Sequence, residues 1–371
     1  MTLFSVEGSQ LFYRNRPVNT AEVHLHLDGA LDKSDVLKIA DQKGRRLYFP
    51  ERGLDGEIID YPSNNRQITT EAQLQELWHG WKKYTIPDMF DPVTGLMQTR
   101  EEIIGLSKAH VIRQAAEGKV YIETRFAPQY HTKEGLRMDQ SVGYVIEGLN
   151  LGAESAAAQG NKIVPKLIVC IGREAESDIG IKVAKVAIQF QRHGVVALDL
   201  ACYEPLFPPE RHQKAFELTF DSELKRTVHA GEMCSLEQNL RNILTAIYDL
   251  RADGLGHAKD LHLSNKLVAE VISRGIRIES NEVSNKVLGF SERIGQANLK
   301  KLDEWGVVVI INSDDPSMWP EGSLAYCLLK AAQTYGDKFV KRVIANPVKA
   351  AFGLDEQQKR NLTSILERQF D

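Results

Sequence analysis

The segment Ala21-Glu22-Val23-His24-Leu25-His26-Leu27-Asp28-Gly29 alternates apolar and polar side chains. Successive side chains of a β-strand point to opposite faces, so the two histidines and Asp28 share one face and the aliphatic residues share the other. Two imidazoles with a carboxylate beyond them make a poor apolar core and a good pair of metal ligands. A single histidine on a strand is more often structural, so the metal hypothesis depends on finding further ligands elsewhere in the chain.

The length and net charge of the chain limit the classes of protein to which it can belong. The chain has 371 residues, enough for one large α/β barrel or two ordinary domains, and its formal net charge is −4. That charge, with no Lys/Arg-rich run, argues against a nucleic-acid partner. No apolar run approaches the roughly 20 residues that a membrane helix needs, and residues 1–16 lack a secretory signal pattern.

The cysteines are widely spaced and contain no Cys-x-x-Cys pair; they are Cys170, Cys202, Cys234 and Cys327. This pattern argues against a disulfide framework and against a cysteine-based zinc site. We therefore expect a soluble, reduced, cytoplasmic globular protein with no membrane partner. The sequence carries no signal of its oligomeric state.

Strand and helix patterns alternate along most of the chain. Each of the eight predicted strands is followed by helical sequence; they are 20–27, 120–126, 165–172, 195–200, 225–229, 254–257, 276–280 and 307–312. Strands that alternate with helices indicate a parallel sheet. Eight such units without a Gly-x-Gly-x-x-Gly turn favour a (β/α)8 TIM barrel over a doubly wound sheet. We predict an α/β fold with this barrel as a single domain over residues 1–371.

Extra helices and lid loops are expected after the first strand. Residues 34–43 are amphipathic, with Ser34 and Asp35 placed to cap a helix. Residues 45–70 and 84–96 have the prolines and irregular patterns of loops, and loops of this length are often lids or binding loops. Surface elaboration is an equally weighted alternative. The aromatic residues Trp78, Trp81, Tyr84 and Phe90 are candidates to line such a lid, with packing as the alternative.

Polar clusters end four of the predicted strands. They are His24-Leu25-His26-Leu27-Asp28, His229-Ala230-Gly231-Glu232, Gly256-His257 and Asn312-Ser313-Asp314-Asp315-Pro316. In a TIM barrel the carboxyl ends of the strands build the active site. Each cluster alone is a weak signal, but the meeting of four clusters on one rim is hard to explain by chance.

These clusters resemble the signature set of the adenosine deaminase family in order and approximate spacing. Glu123-Thr124-Arg125-Phe126-Ala127-Pro128 and Asp199-Leu200-Ala201 add to the resemblance, which runs from about Ala21 to the C-terminal helices. It implies a (β/α)8 barrel with one Zn²⁺ per chain, held by the set His24, His26, His229 and Asp314. It also implies hydrolytic deamination of adenosine or 2′-deoxyadenosine to inosine or 2′-deoxyinosine and ammonia, with zinc-bound hydroxide attacking purine C6.

The resemblance assigns catalytic roles around the metal. Glu232 is similar to the residue that donates a proton to purine N1, and a partly desolvated pocket would keep its carboxyl protonated. His257 resembles the histidine that orients the hydroxide, with Gly256 beside it leaving room for a ligand. Asp315 resembles the group that faces N7, with Asp314 pointing to the metal.

The resemblance also implies a purine nucleoside partner. Asp28 resembles the residue that accepts a hydrogen bond from the ribose 5′-hydroxyl, and a carboxylate there would repel a 5′-phosphate. Gly231 belongs to the expected substrate-binding residues. Cys202 stands where the family has a glycine whose N–H meets purine N3. Cysteine keeps the backbone N–H donor, but its side chain would project near the purine ring. We therefore expect the shape of the pocket to differ from that of the family.

Several alternatives stay open at the level of substrate. The enzyme could deaminate another 6-aminopurine, such as adenine, 5′-methylthioadenosine or an N6-modified AMP, or the chain could be a non-catalytic nucleoside-binding relative. A two-metal hydrolase is opposed because residues 195–200 contain no bridging lysine. A nucleic-acid deaminase is opposed because the chain lacks the Cys-x-x-Cys motif of that class.

Overall fold

The computed structural model describes residues 2–51 and 66–371. In chain order the strands are β1 (Phe4–Glu7), β2 (Gln10–Tyr13), β3 (Arg16–Pro17), β4 (Thr20–His26), β5 (Leu47–Tyr48), β6 (Gln67–Ile68), β7 (Lys119–Phe126), β8 (Val164–Gly172), β9 (Val195–Ala201), β10 (Lys225–Ala230), β11 (Gly254–His257), β12 (Arg277–Ser280) and β13 (Val309–Ile311). The helices are α1 (Lys33–Gln42), α2 (Glu71–Trp78), α3 (Ile86–Leu96), α4 (Arg100–Ala116), α5 (Met138–Ala158), α6 (Ser177–Phe190), α7 (Gln213–Glu217), α8 (Leu236–Tyr248), α9 (Asn265–Arg274), α10 (Glu282–Val287), α11 (Leu299–Glu304), α12 (Leu324–Tyr335), α13 (Asp337–Val343), α14 (Asn346–Lys349) and α15 (Glu356–Arg368).

The central sheet contains β4 and β7 to β13, each beside its neighbour in this series. Every pairing in this sheet is parallel. Its first and last strands meet where Asp314, just beyond β13, pairs with Leu25 of β4 through an isolated parallel bridge. The sheet is thereby nearly closed, and helices surround it. The predicted (β/α)8 barrel is confirmed.

The barrel strands are buried along most of their length, because helices cover the outside and side chains fill the inside. Each predicted barrel strand overlaps an observed one, with ends that differ by a residue or two. The antiparallel β1–β2–β3 meander before the barrel was not predicted. These strands are two to four residues long, too short for a clear alternating pattern.

Two local predictions after the first barrel strand were wrong. Helix α1 is capped by Asp32, whose carboxylate accepts from the Ser34 N–H at 2.8 Å, rather than by Ser34 or Asp35. The second predicted loop is helix α3, which begins with a capping box in which Thr85 and Asp88 satisfy each other's backbone N–H groups. A proline in the first turn suits a helix start, so the proline there does not break the helix.

The aromatic side chains proposed for a lid are mainly packing residues. Trp78 and Tyr84 are fully buried in the main hydrophobic core, and Trp81 and Phe90 are partly buried against it. The first predicted loop contains the short antiparallel pair β5–β6, and its residues 52–65 lie outside the described part of the chain. Among the described helices, none combines the length and apolar character needed to cross a bilayer.

Candidate metal centre and active site

The four predicted metal ligands come together at the carboxyl rim of the barrel. His26 Nε2 lies 3.2 Å from His229 Nε2 and 3.4 Å from Asp314 Oδ1. His24 Nε2 lies 3.1 Å from the same Asp314 oxygen. Strand β4 positions two of these side chains because residues two apart share a face, and β10 and the turn after β13 supply the others.

Carboxylates behind two of the histidines fix which ring nitrogen faces the centre. His24 Nδ1 lies 2.9 Å from Glu279 Oε2, and His229 Nδ1 lies 3.2 Å from Asp199 Oδ1. A carboxylate can only accept, so we assign the ring proton to Nδ1 in both histidines. Their Nε2 lone pairs are then directed to the common centre, an arrangement typical of metal-ligating histidines.

The donor set fits a metal ion. His24 Nε2 and Asp314 Oδ1 are buried, and neither has a hydrogen-bond partner within the described ranges. Burial lowers the pKa of His229 to about 4 and the pKa of His26 well below its usual value, so both rings are neutral at pH 7. Buried lone pairs that face one another without a proton between them are costly, and a cation removes that cost. Three imidazoles and one carboxylate suit Zn²⁺.

One arginine joins the two supporting carboxylates. The guanidinium of Arg125, on β7, donates to Asp199 at 2.8 Å and to Glu279 at 2.7 Å, and all three side chains are fully buried. It also donates to the carbonyl of Val23 at 2.8 Å, next to the first ligand. Arg125 therefore links the carboxylates behind His24 and His229, and Glu279 is held in addition by Arg277, whose Nη2 lies 2.7 Å from Glu279 Oε1.

His257 borders the same centre. The ligand atoms of the group His24, His229, His257 and Asp314 all lie within 4.8 Å of one another. His257 Nδ1 lies 2.8 Å from Asn285 Oδ1, and its Nε2 lies 3.1 Å from Asn281 Nδ2. Both ring nitrogens thus have amide partners, which favours an orienting role over a ligand role. Its Nε2 is also 3.6 Å from Glu232 Oε1. His257 therefore lies between the candidate metal centre and the carboxyl group expected to donate a proton.

Three carboxyl groups around the centre are shifted toward the protonated form. Burial, with the nearby charge of Asp314, raises the pKa of Glu232 well above its usual value. The same two causes raise the pKa of Asp315. Burial raises the pKa of Asp28 to about 6, against the opposing effect of backbone N–H groups. Gly29 is required beside them, because a Cβ at this position would overlap the Asp315 carboxyl.

Left-handed backbone conformations cluster at the rim. Cys202, His257 and Asp314 have φ values of +80°, +64° and +68°. Such conformations are unusual for residues other than glycine and are often found at functional sites. Cys202 therefore has the backbone geometry of a glycine although it carries a thiol, whose Sγ lies 3.5 Å from the Tyr130 hydroxyl.

Two glycines shape the backbone around the site. A Cβ at Gly256 would lie 2.9 Å from His24 Cε1 and 3.3 Å from the His229 Cα. The absence of a side chain at Gly256 therefore makes room for His24 and His229. Gly231 is left-handed, with φ of +78°, and a Cβ there would lie 2.8 Å from Ile243 Cδ1. It sets the turn between His229 and Glu232.

Some contributing residues were not singled out in the sequence. Glu279 lies two residues after Arg277 on one strand, so both charges point to the same side, into the barrel. That alternation was a usable signal of a buried polar network. Asn281 and Asn285 carry no such signal, because only the turn of α10 brings them to His257.

Sequence comparison relates the chain to a known protein family. The sequence profile of the family described as Adenosine deaminase matches residues 19–369. A curated protein named adenosine deaminase from Clostridium kluyveri is 29% identical over 340 residues, with 90% of each chain covered. Another of that name, from Mycolicibacterium gilvum, is 30% identical over 344 residues, again with 90% of each chain covered.

Solved structures share the fold at lower identity. An adenine deaminase from Arthrobacter aurescens superposes with a TM-score of 0.75 at 19% identity, covering 95% of this chain and 99% of that one. The apo N6-methyl-AMP deaminase from Arabidopsis thaliana gives 0.75 at 21% identity, with 95% and 98% covered. An amidohydrolase from Burkholderia ambifaria with bound Zn gives 0.74 at 18% identity, with 95% and 91% covered.

Proposed function

Because this chain belongs to the adenosine deaminase family and is an aminohydrolase, we propose that it converts adenosine and 2′-deoxyadenosine to inosine and 2′-deoxyinosine. The C6–N bond breaks, a C6–O bond forms with oxygen from water, and ammonia leaves. The observation that carries the proposal is the convergence of ligand atoms from His24, His26, His229 and Asp314 near Glu232, whose raised pKa favours the protonated carboxyl group.

We propose Zn²⁺, one per chain, as the ion that the side chains of His24, His26, His229 and Asp314 would hold. When bound, zinc lowers the pKa of a coordinated water from 15.7 to about 7 and so makes a nucleophile available at neutral pH. His257, held at both nitrogens by asparagine amides, would orient that water.

Glu232 is the proposed proton donor to purine N1. Attack at C6 places negative charge on the ring, and a proton on N1 removes it, so the carboxyl group must be protonated when the substrate binds. Its raised pKa supports that state at neutral pH. Asp315, whose pKa is also raised, would donate a hydrogen bond to the N7 acceptor.

Three further residues are proposed to hold the nucleoside. The Cys202 N–H would meet N3, as its glycine-like backbone supports. Gly231 would contribute through its left-handed backbone, which turns the chain so that Glu232 follows at the substrate site. Asp28 would accept a hydrogen bond from the ribose 5′-hydroxyl, and because its pKa is about 6, its carboxylate would be charged at neutral pH and would repel a 5′-phosphate.

A substrate panel tests this proposal. Adenosine, 2′-deoxyadenosine, 5′-methylthioadenosine, adenine, AMP and N6-methyl-AMP would be compared by absorbance and ammonia release, with Glu232→Gln as the blank. We expect the highest kcat/KM for the two nucleosides with a free 5′-hydroxyl. A higher kcat/KM for AMP or N6-methyl-AMP would overturn the substrate assignment, and no turnover above the blank would favour a non-catalytic binding protein.

We also propose that residues 1–371 form a single domain. The N-terminal meander packs on the C-terminal end, since the rings of Tyr13 and Phe370 have centroids 5.3 Å apart. The N–H of Asn19 donates to Gln369 Oε1 at 2.8 Å. Contacts between the two ends of the chain favour cooperative folding of the whole.

A further inference from the structure

Glu204 is a buried acid outside the predicted site. It lies in the segment after β9, two residues beyond Cys202, and is 2% exposed. Its Oε1 accepts from the Gly231 N–H at 2.8 Å, and its Oε2 accepts from the N–H groups of Glu232 at 2.9 Å and Met233 at 3.2 Å. The carboxylate therefore holds three consecutive backbone N–H groups of the turn that carries the proton donor.

A fourth donor completes the arrangement. The Asn242 side chain, on α8, donates to Glu204 Oε1 at 2.8 Å. Each carboxylate oxygen thus accepts two hydrogen bonds, which nearly fills its acceptor capacity. The left-handed conformation of Gly231 turns the chain so that successive N–H groups can converge on one carboxylate.

A nearby guanidinium and the N–H donors stabilise the negative charge on Glu204. Burial alone would raise the pKa of Glu204, but the Arg173 guanidinium and the N–H donors hold that pKa below its usual range. Arg173 also donates to the carbonyls of Ala201 at 3.3 Å and His229 at 2.5 Å. An ionised acceptor makes stronger hydrogen bonds than a neutral one, so the clamp on the turn is strong.

We propose that Glu204 is a positioning residue that fixes the direction of the Glu232 carboxyl group by clamping the backbone at Gly231, Glu232 and Met233. The inference rests on the proposed role of Glu232 as proton donor. The segment that carries Glu204 also carries the Cys202 N–H, so the contacts to purine N3 and N1 are held as one rigid unit. General acid catalysis needs the proton donor to be held in a fixed position relative to the ring, because a misplacement of the donor by about 1 Å can lower the rate about 10²-fold.

The test is Glu204→Gln, which keeps the shape but replaces one acceptor oxygen by an NH₂ group. In either orientation of the amide, at least one of the three backbone N–H groups faces a donor. We expect kcat on adenosine to fall about 10²-fold while KM changes by less than about 3-fold and zinc content stays at the wild-type level. Amide hydrogen exchange over residues 231–233 should accelerate in the variant.

Glu210→Gln is the matched control, because Glu210 lies in the same inter-strand segment and, within residues 2–51 and 66–371, its side chain accepts only from Thr245 Oγ1, at 3.1 Å. It should leave kcat and exchange unchanged. If Glu204→Gln does not fold, Glu204→Asp replaces it, since shortening the side chain withdraws the carboxylate from the turn. Wild-type kcat in either folded variant, or a fall in kcat explained by zinc loss, would overturn the inference.

A separate measurement distinguishes failure of this inference from failure of the proposed function. If Glu232→Gln abolishes turnover while Glu204→Gln does not, Glu204 is not a positioning residue and the deaminase proposal stands. If Glu232→Gln retains wild-type turnover, the role of Glu232 is wrong and the inference falls with it.

Discussion

The backbone N–H of Asp314 donates to the carbonyl oxygen of His24, 3.3 Å away, while the side chains of the same two residues approach to 3.1 Å. The Asp314 carbonyl in turn accepts from the His26 N–H at 3.0 Å. These contacts join the first barrel strand to the segment that follows the last one. The proposed metal centre therefore lies at the seam of the barrel, so we expect metal binding and barrel closure to stabilise each other.

The Asp314→Ala variant should lose both zinc and activity, because it removes the only anionic member of the proposed ligand set. Zinc at 100 times its Kd should stabilise the wild-type fold by about 2.7 kcal/mol, and the variant should lack this response. Metal analysis and denaturant unfolding with and without chelator measure both effects. Full zinc occupancy in the variant would show that Asp314 is not a ligand.

Glu232→Gln should keep zinc and lose turnover by about 10²-fold or more, since an amide cannot deliver the proton to N1. Steady-state kinetics on adenosine and metal analysis of the same sample provide the measurement. Glu237→Gln, at an exposed site on the first turn of α8, is the control and should match the wild type. Turnover within a few-fold of the wild type in Glu232→Gln would contradict the assignment.

Arg125→Met should destabilise the fold by about 3–5 kcal/mol, because it removes the arginine paired with the buried Asp199 carboxylate and leaves Glu279 paired with Arg277 alone. Zinc affinity should fall about 10- to 100-fold as the supporting carboxylates lose their fixed positions. Competition with a chelator and urea unfolding test the two effects. Arg100→Met, which removes an exposed pair with Glu147, should cost less than about 1 kcal/mol. Equal effects from the two substitutions would rule out the bridging role.

His131 gives a pH dependence of stability that is independent of the metal. It is fully buried, its Nδ1 lies 3.0 Å from the Met97 carbonyl oxygen, and burial lowers its pKa from 6.5 to about 4. As the pH falls, the His131 ring takes up a proton at a higher pH in the unfolded chain than in the folded protein. Above pH 6.5, neutral His131 therefore contributes about 3 kcal/mol to the free energy of unfolding. This contribution is lost as the pH falls from about 6.5 to about 4.

The comparison is with His131→Asn, which can keep the hydrogen bond to Met97 but does not titrate. Free energies of unfolding would be measured for both proteins from pH 7 to pH 4. The wild type should lose about 3 kcal/mol more than the variant over this range. Parallel curves would mean that His131 keeps an ordinary pKa in the folded state.

The barrel and the meeting of the four proposed metal ligands at one rim could be predicted from the sequence because both depend on local patterns. Eight strand patterns set the topology, and the His24–His26 spacing placed two ligands on one strand face. The rim of a parallel barrel then brought His229 and Asp314 to the same place. The resemblance to a family added the roles of Glu232 and His257, which spacing alone could not provide.

The supporting residues could not be predicted, for a physical reason. Glu204 and Glu279 act through partners that are distant in sequence and meet them only in the folded barrel, so neither belongs to a local motif. Helix α3 was missed because prolines outweighed the Thr85–Asp88 capping signal. Sequence patterns indicate which face a side chain occupies, but not which distant backbone group it will bind.

The most direct test of the central claim is anomalous diffraction at the zinc edge from crystals of the wild-type protein. We predict one peak per chain, about 2.0–2.2 Å from the Nε2 atoms of His24, His26 and His229 and from a carboxylate oxygen of Asp314. Two peaks, a peak that those four side chains do not share, or no peak from zinc-loaded protein would contradict the account.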